Sequence, residues 1–404
     1  MVTATRSVII AGAGIGGLTA ALALARHGFR VSVLEQAERL AEIGAGIQLS
    51  PNAARLLLEL GLGDLLRPHV VAPAALRVFN GQSGRQIVRM PLDGAAARYG
   101  APYWMIHRGD LQAALATAVA QQRDITLKLG TRMEDFATHP HGVTVSASAG
   151  GGLWNERGDA LLAADGLWSI APARMGLKET PRFCGRSAWR ALVPAEQAPR
   201  EFRGPEIHLW LGRDAHIVHY PVKAGTVINV VVIVDDAWNA PGWSAKAERI
   251  DLLPRLPAAR WAPQLRTLVR QPENWLKWAL YDRPPLSTFA HGAVALIGDA
   301  AHPMLPFLAQ GAAMAIEDAV VAAGCLSRLP DDAAAALKAY AAIRRARTRK
   351  VQRLAARNGT RYHRGMLPAL LRNAAMRAIG GERLLRHYDW LYDWRPPAAL
   401  GQRI

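Results

Sequence analysis

Short apolar runs recur along the chain, and each ends at a glycine or an acid. Ser7-Val8-Ile9-Ile10-Ala11 is the first, β-branched and apolar in the manner of a buried strand. Gly12-Ala13-Gly14-Ile15-Gly16-Gly17 follows, then an Ala- and Leu-rich helix to about His27, with Gly28 as its stop. Arg30-Val31-Ser32-Val33-Leu34 is a second strand, closed by Glu35. The pattern returns at 125–129, 143–148 and 161–164, the last run ending in Asp165-Gly166, with a hairpin tip at 149–152. It returns again at 293–297, ending in Gly298-Asp299. A Pro-rich turn over 302–306 then breaks the chain, and an Ala-rich helix starts at Gly311.

Elsewhere the periodicity differs. Residues 74–91 alternate strand and turn, and 182–285 carry strands with aromatics at 187–193, 206–211, 216–221 and 226–235. Helices are expected at 53–60, from about 108 to 121, and from 317 to about 380, before an aromatic-rich tail, His387-Tyr388-Asp389-Trp390-Leu391-Tyr392-Asp393-Trp394. The expected fold is α/β: a Rossmann-like nucleotide-binding domain interleaved with a β-sheet substrate domain, then C-terminal helices. The boundaries are 1–73, 101–180 and 286–345 for the first, 74–100 and 181–285 for the second, and 346–404 for the last. Clefts between such domains are where small-molecule sites form.

Composition narrows the class. Half of the 404 residues are hydrophobic and a fifth are charged, as in globular proteins. The longest apolar stretch, 8–25, is interrupted by four glycines and falls short of the ~20 residues of a membrane span. Two cysteines, Cys184 and Cys325, are too few for a disulfide framework, so a soluble cytoplasmic protein is expected. The net charge of +17 raises the question of nucleic acid. No nucleic-acid motif appears, and aromatics are not interleaved with the basic run from Arg344 to Arg364, which reads as a solvated helix face. A positive field suits an anionic small substrate or cofactor equally well.

The glycines carry the chemistry. A GxGxxG after a strand, opening a helix, with an acid at the end of the next strand, is a dinucleotide fingerprint. Gly12 allows the tight turn, Gly14 lets backbone approach a pyrophosphate, Gly17 permits close helix packing, and Glu35 accepts from ribose hydroxyls. A second Gly-rich loop, Glu42-Ile43-Gly44-Ala45-Gly46-Ile47-Gln48, suggests a segment pressed against a flat ligand. Arg108 stands just before a helix and suits a salt bridge or a phosphate or ribityl contact. The helix start at Gly311 and Ala312 offers unpaired N–H groups to an electron-rich ligand.

In their order and spacing, Gly12–Gly17 with Glu35, Asp165-Gly166 and Gly298-Asp299 give a chain that resembles the single-component flavoprotein aromatic hydroxylases of the para-hydroxybenzoate hydroxylase fold. Gly44-Ala45-Gly46-Ile47-Gln48 with Pro51-Asn52, His107-Arg108-Gly109-Asp110-Leu111 and the Gln310-Gly311 to Glu317-Asp318 segment look most like salicylate hydroxylase, 3-hydroxybenzoate 6-hydroxylase and 6-hydroxynicotinate 3-monooxygenase. The resemblance implies FAD as cofactor, NADH or NADPH and O2 as cosubstrates, and hydroxylation through a flavin C4a-hydroperoxide. It assigns Gly12, Gly14, Gly17 and Glu35 to the ADP half of FAD, and Gln48 to the cofactor side. Arg108, Asp165, Gly298 and Asp299 go to its pyrophosphate and ribityl chain, and Gly311 and Ala312 to the ring. Pro303 and Pro306 would run along that ring beside the substrate.

His216 and Tyr220 match a His-x-x-x-Tyr pair that relatives use on the phenol; four residues apart on a strand, they face one side, while His219 faces the other. The expected substrate is a small aromatic acid, a salicylate-like hydroxybenzoate, with His216 taking or sharing the phenol proton. Gln48 stands where the hydroxynicotinate enzymes place His, and Pro306 where the 3-hydroxybenzoate 6-hydroxylases place Gln. Alternatives are an N-heterocycle (hydroxynicotinate or urate-like), an aromatic polyketide, or a redox-gated flavoprotein binding a partner through its basic face. No metal site, membrane span or nucleic-acid partner is expected, and the assembly would be a monomer or homodimer.

Overall fold

The computed structural model describes residues 6–40, 45–240, 242–363 and 365–400. Positions 42–44 of the second Gly-rich loop and Arg364 of the basic run lie outside the described residues.

The strand Ser7–Ala11 lies inside a six-stranded sheet, parallel to Arg30–Leu34 on one side and Ala160–Ala163 on the other. Ile125–Lys128 and Val294–Leu296 extend the sheet in parallel, and Ala290–His291 adds an antiparallel edge. The Ala160–Ala163 and Val294–Leu296 strands are buried throughout, as continuous apolar runs in a covered parallel sheet must be. The helices Ile15–Arg26 and Gly311–Arg328 approach closely at Gly16, where an added Cβ would lie 3.2 Å from that of Ala315.

The second large sheet has eight strands. From one edge to the other they are Ser244–Glu248, Asn274–Asp282, Arg182–Pro194, Val227–Asp235, Ala215–Val222, Glu206–Leu211, Ala75–Asn80 and Gln86–Pro91. The early pair 75–91 joins through a parallel ladder between Ala75–Asn80 and Glu206–Leu211. One face buries Trp189, Trp210, Val230, Val232 and Trp275 against Leu252 and Leu265. The other turns toward the parallel-sheet half of the molecule.

Some elements were not legible. Arg132–His139 and Gly152–Gly158 flank Gly142–Ala149 in a small antiparallel sheet. Glu134, Asp135, Glu156 and Arg157 give those strands a polar look that passes for loop. The helical region after 317 is three helices, Gly311–Arg328, Ala333–Tyr362 and Met366–Ile379. Asp332 caps the second by accepting from the Ala335 N–H at 2.8 Å.

The basic run needs correction. Arg344 is fully buried, donating to Glu317 at 2.6 Å and Asp318 at 2.7 Å, and Arg347 donates to Glu317 at 2.6 Å. The aromatic tail covers them: Trp394 lies 5.0 Å from the Arg344 guanidinium and 4.8 Å from that of Arg347, and Trp390 lies 3.6 Å from Lys350. Arg353, Arg357 and Arg361 do face solvent. Charge counted along a helix does not reveal which turn faces inward, because the acids that pair with it come from another helix.

Candidate functional site

At the C-terminal end of the first strand, Gly12 adopts φ +100°, and a Cβ there would sit 2.6 Å from the Ala164 carbonyl oxygen. A Cβ on Gly17 would meet the Gly12 oxygen at 1.9 Å, so the helix can start this close only on glycine. Over Gly14 there is nothing within 4 Å. Two glycines fill space that side chains would block, and the third faces an opening. Glu35 is pinned at the edge of this opening, accepting from the Ala13 N–H at 2.7 Å and the Ala37 N–H at 2.9 Å.

The other strand ends converge on the same region. Asp299 is open to solvent yet ringed by protein: desolvation raises its carboxyl, opposed by His302, Arg108 and Arg283. Asp165 is likewise raised by desolvation, and its Oδ1 is buried without a hydrogen-bond partner. Arg283 joins the two turns, donating to the Ala300 carbonyl at 2.7 Å and the Leu167 carbonyl at 3.0 Å. Arg108, at the start of the Arg108–Ala120 helix, lies within electrostatic range of Asp299.

Beyond Asp299 the chain turns through Pro306–Leu308, and Ala309 takes φ +52°, a left-handed backbone rare for a residue with a Cβ. That turn delivers the Gly311–Arg328 helix with no side chain capping its first turn. The N–H groups of Gly311 and Ala312 therefore have no intrahelical acceptor. A buried network fixes this helix from behind. Gln310 donates to Ser50 at 2.9 Å, Asn52 donates to Glu317 at 2.7 Å, and His302 meets Asp318 at 2.5 Å. Burial would raise the Asp318 carboxyl, but His302 and Arg344 outweigh it and hold it below the usual range.

The donor set fits FAD on its own chemistry. It comprises an open glycine turn with a carboxylate, an orphaned Asp165 oxygen, an arginine facing a solvent-open aspartate, and an uncapped helix start.

On the eight-stranded sheet, register puts three rows on the face toward Phe307. Ala188, Ile233 and His216 form one, Arg190, Val231 and Val218 the next, and Leu192, Asn229 and Tyr220 the third. His216 and Tyr220 thus share a face, and His219 lies on the other, accepting from the Trp210 indole N–H at 2.9 Å. Phe307 and Tyr362 close the His216 end at ring separations of 5.4 Å and 5.2 Å. His216 Nδ1 also lies 2.7 Å from His363 Nε2. Burial, with His363 and Arg186 nearby, holds His216 well below the usual imidazole range, and burial lowers His363 to about 4. At the Tyr220 end, Gln48 hydrogen-bonds to the Tyr220 hydroxyl and accepts from Tyr103 at 2.7 Å. Burial raises the Tyr220 phenol.

Gly12, Gly14, Gly17, Glu35, Arg108, Asp165, Gly298, Asp299, Gly311 and Ala312 thus surround one region at the strand ends. Gln48 reaches Tyr103 and Tyr220. Pro303 lines a cavity of about 270 Å³ with Arg182, Arg283, Gln352 and Arg353, and its carbonyl accepts from Gln352 at 3.0 Å. Pro306 opens the turn that seats Phe307, itself packed with Ala188, Ile233 and Leu305. Sequence reading missed Arg283, His363, Tyr103 and Arg190. Only Arg190 carried a signal, an arginine at an inward position of a predicted strand.

A glycine-turn sheet whose strand ends converge on a helix start, faced by a broad mixed sheet, fits a flavin enzyme, and with the relatives the class is an FAD-dependent aromatic hydroxylase. The chain belongs to the family described as the FAD binding domain, whose profile matches residues 5–355. It is 37% identical over 388 residues to 3-hydroxybenzoate 6-hydroxylase 1 of Aquipseudomonas alcaligenes, covering 96% of this chain and 97% of that one. It resembles the solved salicylate hydroxylase substrate complex with a TM-score of 0.82, 26% identity and coverage of 99% and 98%. It also resembles Klebsiella pneumoniae HpxO complexed with FAD and uric acid, at TM-score 0.83, 28% identity and 95% of each chain.

Proposed function

We propose that this enzyme uses NADH or NADPH and O2 to add one oxygen to a small hydroxylated aromatic acid of the hydroxybenzoate class. The observation that carries the reading is His216 and Tyr220 on one sheet face, with the row of Val218 between them and Phe307 covering the His216 end. Gly12–Gly17, Glu35, Arg108, Asp165 and Asp299 would hold FAD, which supplies hydride acceptance and oxygen activation when bound. The helix start at Gly311 and Ala312 would stabilise negative charge on the ring.

The residues then have defined work. Hydroxylation needs an electron-rich ring, and ionising a phenol of pKa ~10 supplies it. Tyr220 receives a hydrogen bond from Gln48, which leaves its own O–H to donate to the substrate oxygen. His216 is held neutral and is a poor place to store a proton. Its Nδ1 meets His363, whose Nδ1 lies 3.5 Å from the half-exposed Asp235. A proton taken at His216 Nε2 would be matched by release of the Nδ1 proton to His363 and of the His363 Nδ1 proton toward Asp235. The apolar walls, Phe307, Leu305 and Ile233, exclude water.

The test is NADH and NADPH oxidation by the holoenzyme across hydroxybenzoates, hydroxynicotinates and purines, with product mass recorded. Acceleration with one oxygen added to a hydroxybenzoate supports the reading. Catechol from salicylate would identify a decarboxylating enzyme. Turnover of purines alone, in keeping with the uric acid named in the HpxO complex, would replace the substrate class.

A further inference from the structure

Among the arginines of the substrate-facing sheet, Arg190 stands apart. It lies on the Arg182–Pro194 strand in the row between those of His216 and Tyr220, two strands across, roughly 10 Å away at ~4.8 Å per strand. Its guanidinium lies over the Trp278 ring at 4.4 Å from the centroid, which fixes the fork's plane. Register puts it on the face that carries His216 and Tyr220, and it is within electrostatic range of Tyr220 and Arg108. Its Nε is buried without a hydrogen-bond partner, and among the described residues no carboxylate forms an ion pair with it. The neighbouring Arg186 on the same strand is paired with Asp235 at 2.9 Å. Arg190 as a whole is half-buried, so it is the Nε end of the fork that lacks a partner.

We infer that Arg190 is a specificity-determining residue that binds the carboxylate of the aromatic acid through its guanidinium fork. This rests on the small-aromatic-acid reading above. With the phenol oxygen at His216 and Tyr220, a carboxylate on the same ring would meet a cation preset in the plane by Trp278. A guanidinium is suited to the two oxygens of a carboxylate, where an ammonium offers a point charge. The electrostatic company of Arg108 adds to the preference for an anion, and no carboxylate of the protein competes for the fork among the described residues.

The test compares each accepted hydroxybenzoate with its hydroxybenzamide on the FAD-loaded enzyme, by flavin absorbance titration and by KM. In the wild type the acid should bind far tighter than the amide. Arg190→Gln should weaken the acid by roughly 50-fold and the amide by less than about twofold, so that discrimination collapses. Arg190→Lys, the gentler change should the first fold poorly, should weaken the acid by about 10-fold. Wild-type discrimination that survives Arg190→Gln overturns the assignment. Loss of flavin from both variants also overturns it, placing Arg190 on the cofactor. Equal wild-type binding of acid and amide instead sinks the aromatic-acid reading itself.

Discussion

His216 and His363 are joined by a 2.7 Å contact between Nδ1 and Nε2, although they come from a sheet strand and from the end of a long helix. Neither is inclined to hold a proton, because burial lowers both. The pair suits passage rather than storage. His363→Phe should lower kcat by about 100-fold near neutral pH while leaving KM nearly unchanged. The deficit should shrink as pH approaches ~10, where the phenol ionises unaided. A pH-independent deficit would mean that His363 only fills space.

Four buried histidines make acid sensitivity a property of the fold. His208 and His363 are lowered to about 4, and His216 and His219 well below their usual value, all chiefly by burial. A folded pKa below the unfolded value near ~6.5 means that the unfolded chain takes up protons first as pH falls. The stability is fully present above ~6.5 and drains away toward pH 4, on the order of 3 kcal/mol for a group displaced this far. The melting temperature should be steady from pH 7 to 8 and fall steeply between 6.5 and 4. His208→Gln should flatten that slope, and an unchanged slope would count against the assignment.

Two neighbouring glycines should fail differently. Gly12→Ala places a Cβ against the Ala164 carbonyl at a left-handed φ, so the protein itself should lose 1–3 kcal/mol, roughly, measured by urea unfolding. Gly14→Ala meets nothing of the protein. Its unfolding midpoint without flavin should match the wild type, while FAD content after gel filtration should fall. Equal flavin content in Gly14→Ala would move the pyrophosphate elsewhere.

Asp299→Ala should release flavin, and Arg283→Ala should do so with an added loss of stability. Arg283 holds the Ala300 and Leu167 carbonyls, so its removal leaves buried acceptors unpaired, at about 1–3 kcal/mol each. Absorbance at the flavin band relative to protein, beside thermal melts, separates the two effects. A stable Arg283→Ala with bound flavin would contradict the bridging role.

What sequence could show follows from locality. The turn at Gly12, the acid at Glu35 and the Gly298-Asp299 strand end are each written within a few adjacent residues, and the structure brings them to one region. The parity of His216 and Tyr220 is likewise a property of one strand. Arg283 and His363 were illegible because their partners, Ala300, Leu167 and His216, come from other elements whose packing no periodicity encodes. The basic helix misled for the same reason, since Glu317 and Asp318 that neutralise Arg344 lie on another helix. The contact of Gln48 with Tyr103 was illegible in the same way, since it depends on the antiparallel ladder with Trp104–His107.

The aromatic cover at Trp390 and Trp394 has a consequence in time. It closes over Arg344 and Arg347, which hold Glu317 and Asp318 behind the helix start at Gly311. During synthesis the glycine turn at 12–17 emerges first, and the segment that braces its partner helix emerges some 370 residues later. Until that segment folds, Arg344 and Arg347 lack their aromatic cover. Should the groove hold FAD as proposed, a fragment lacking this cover would present the dinucleotide turn without a braced helix start.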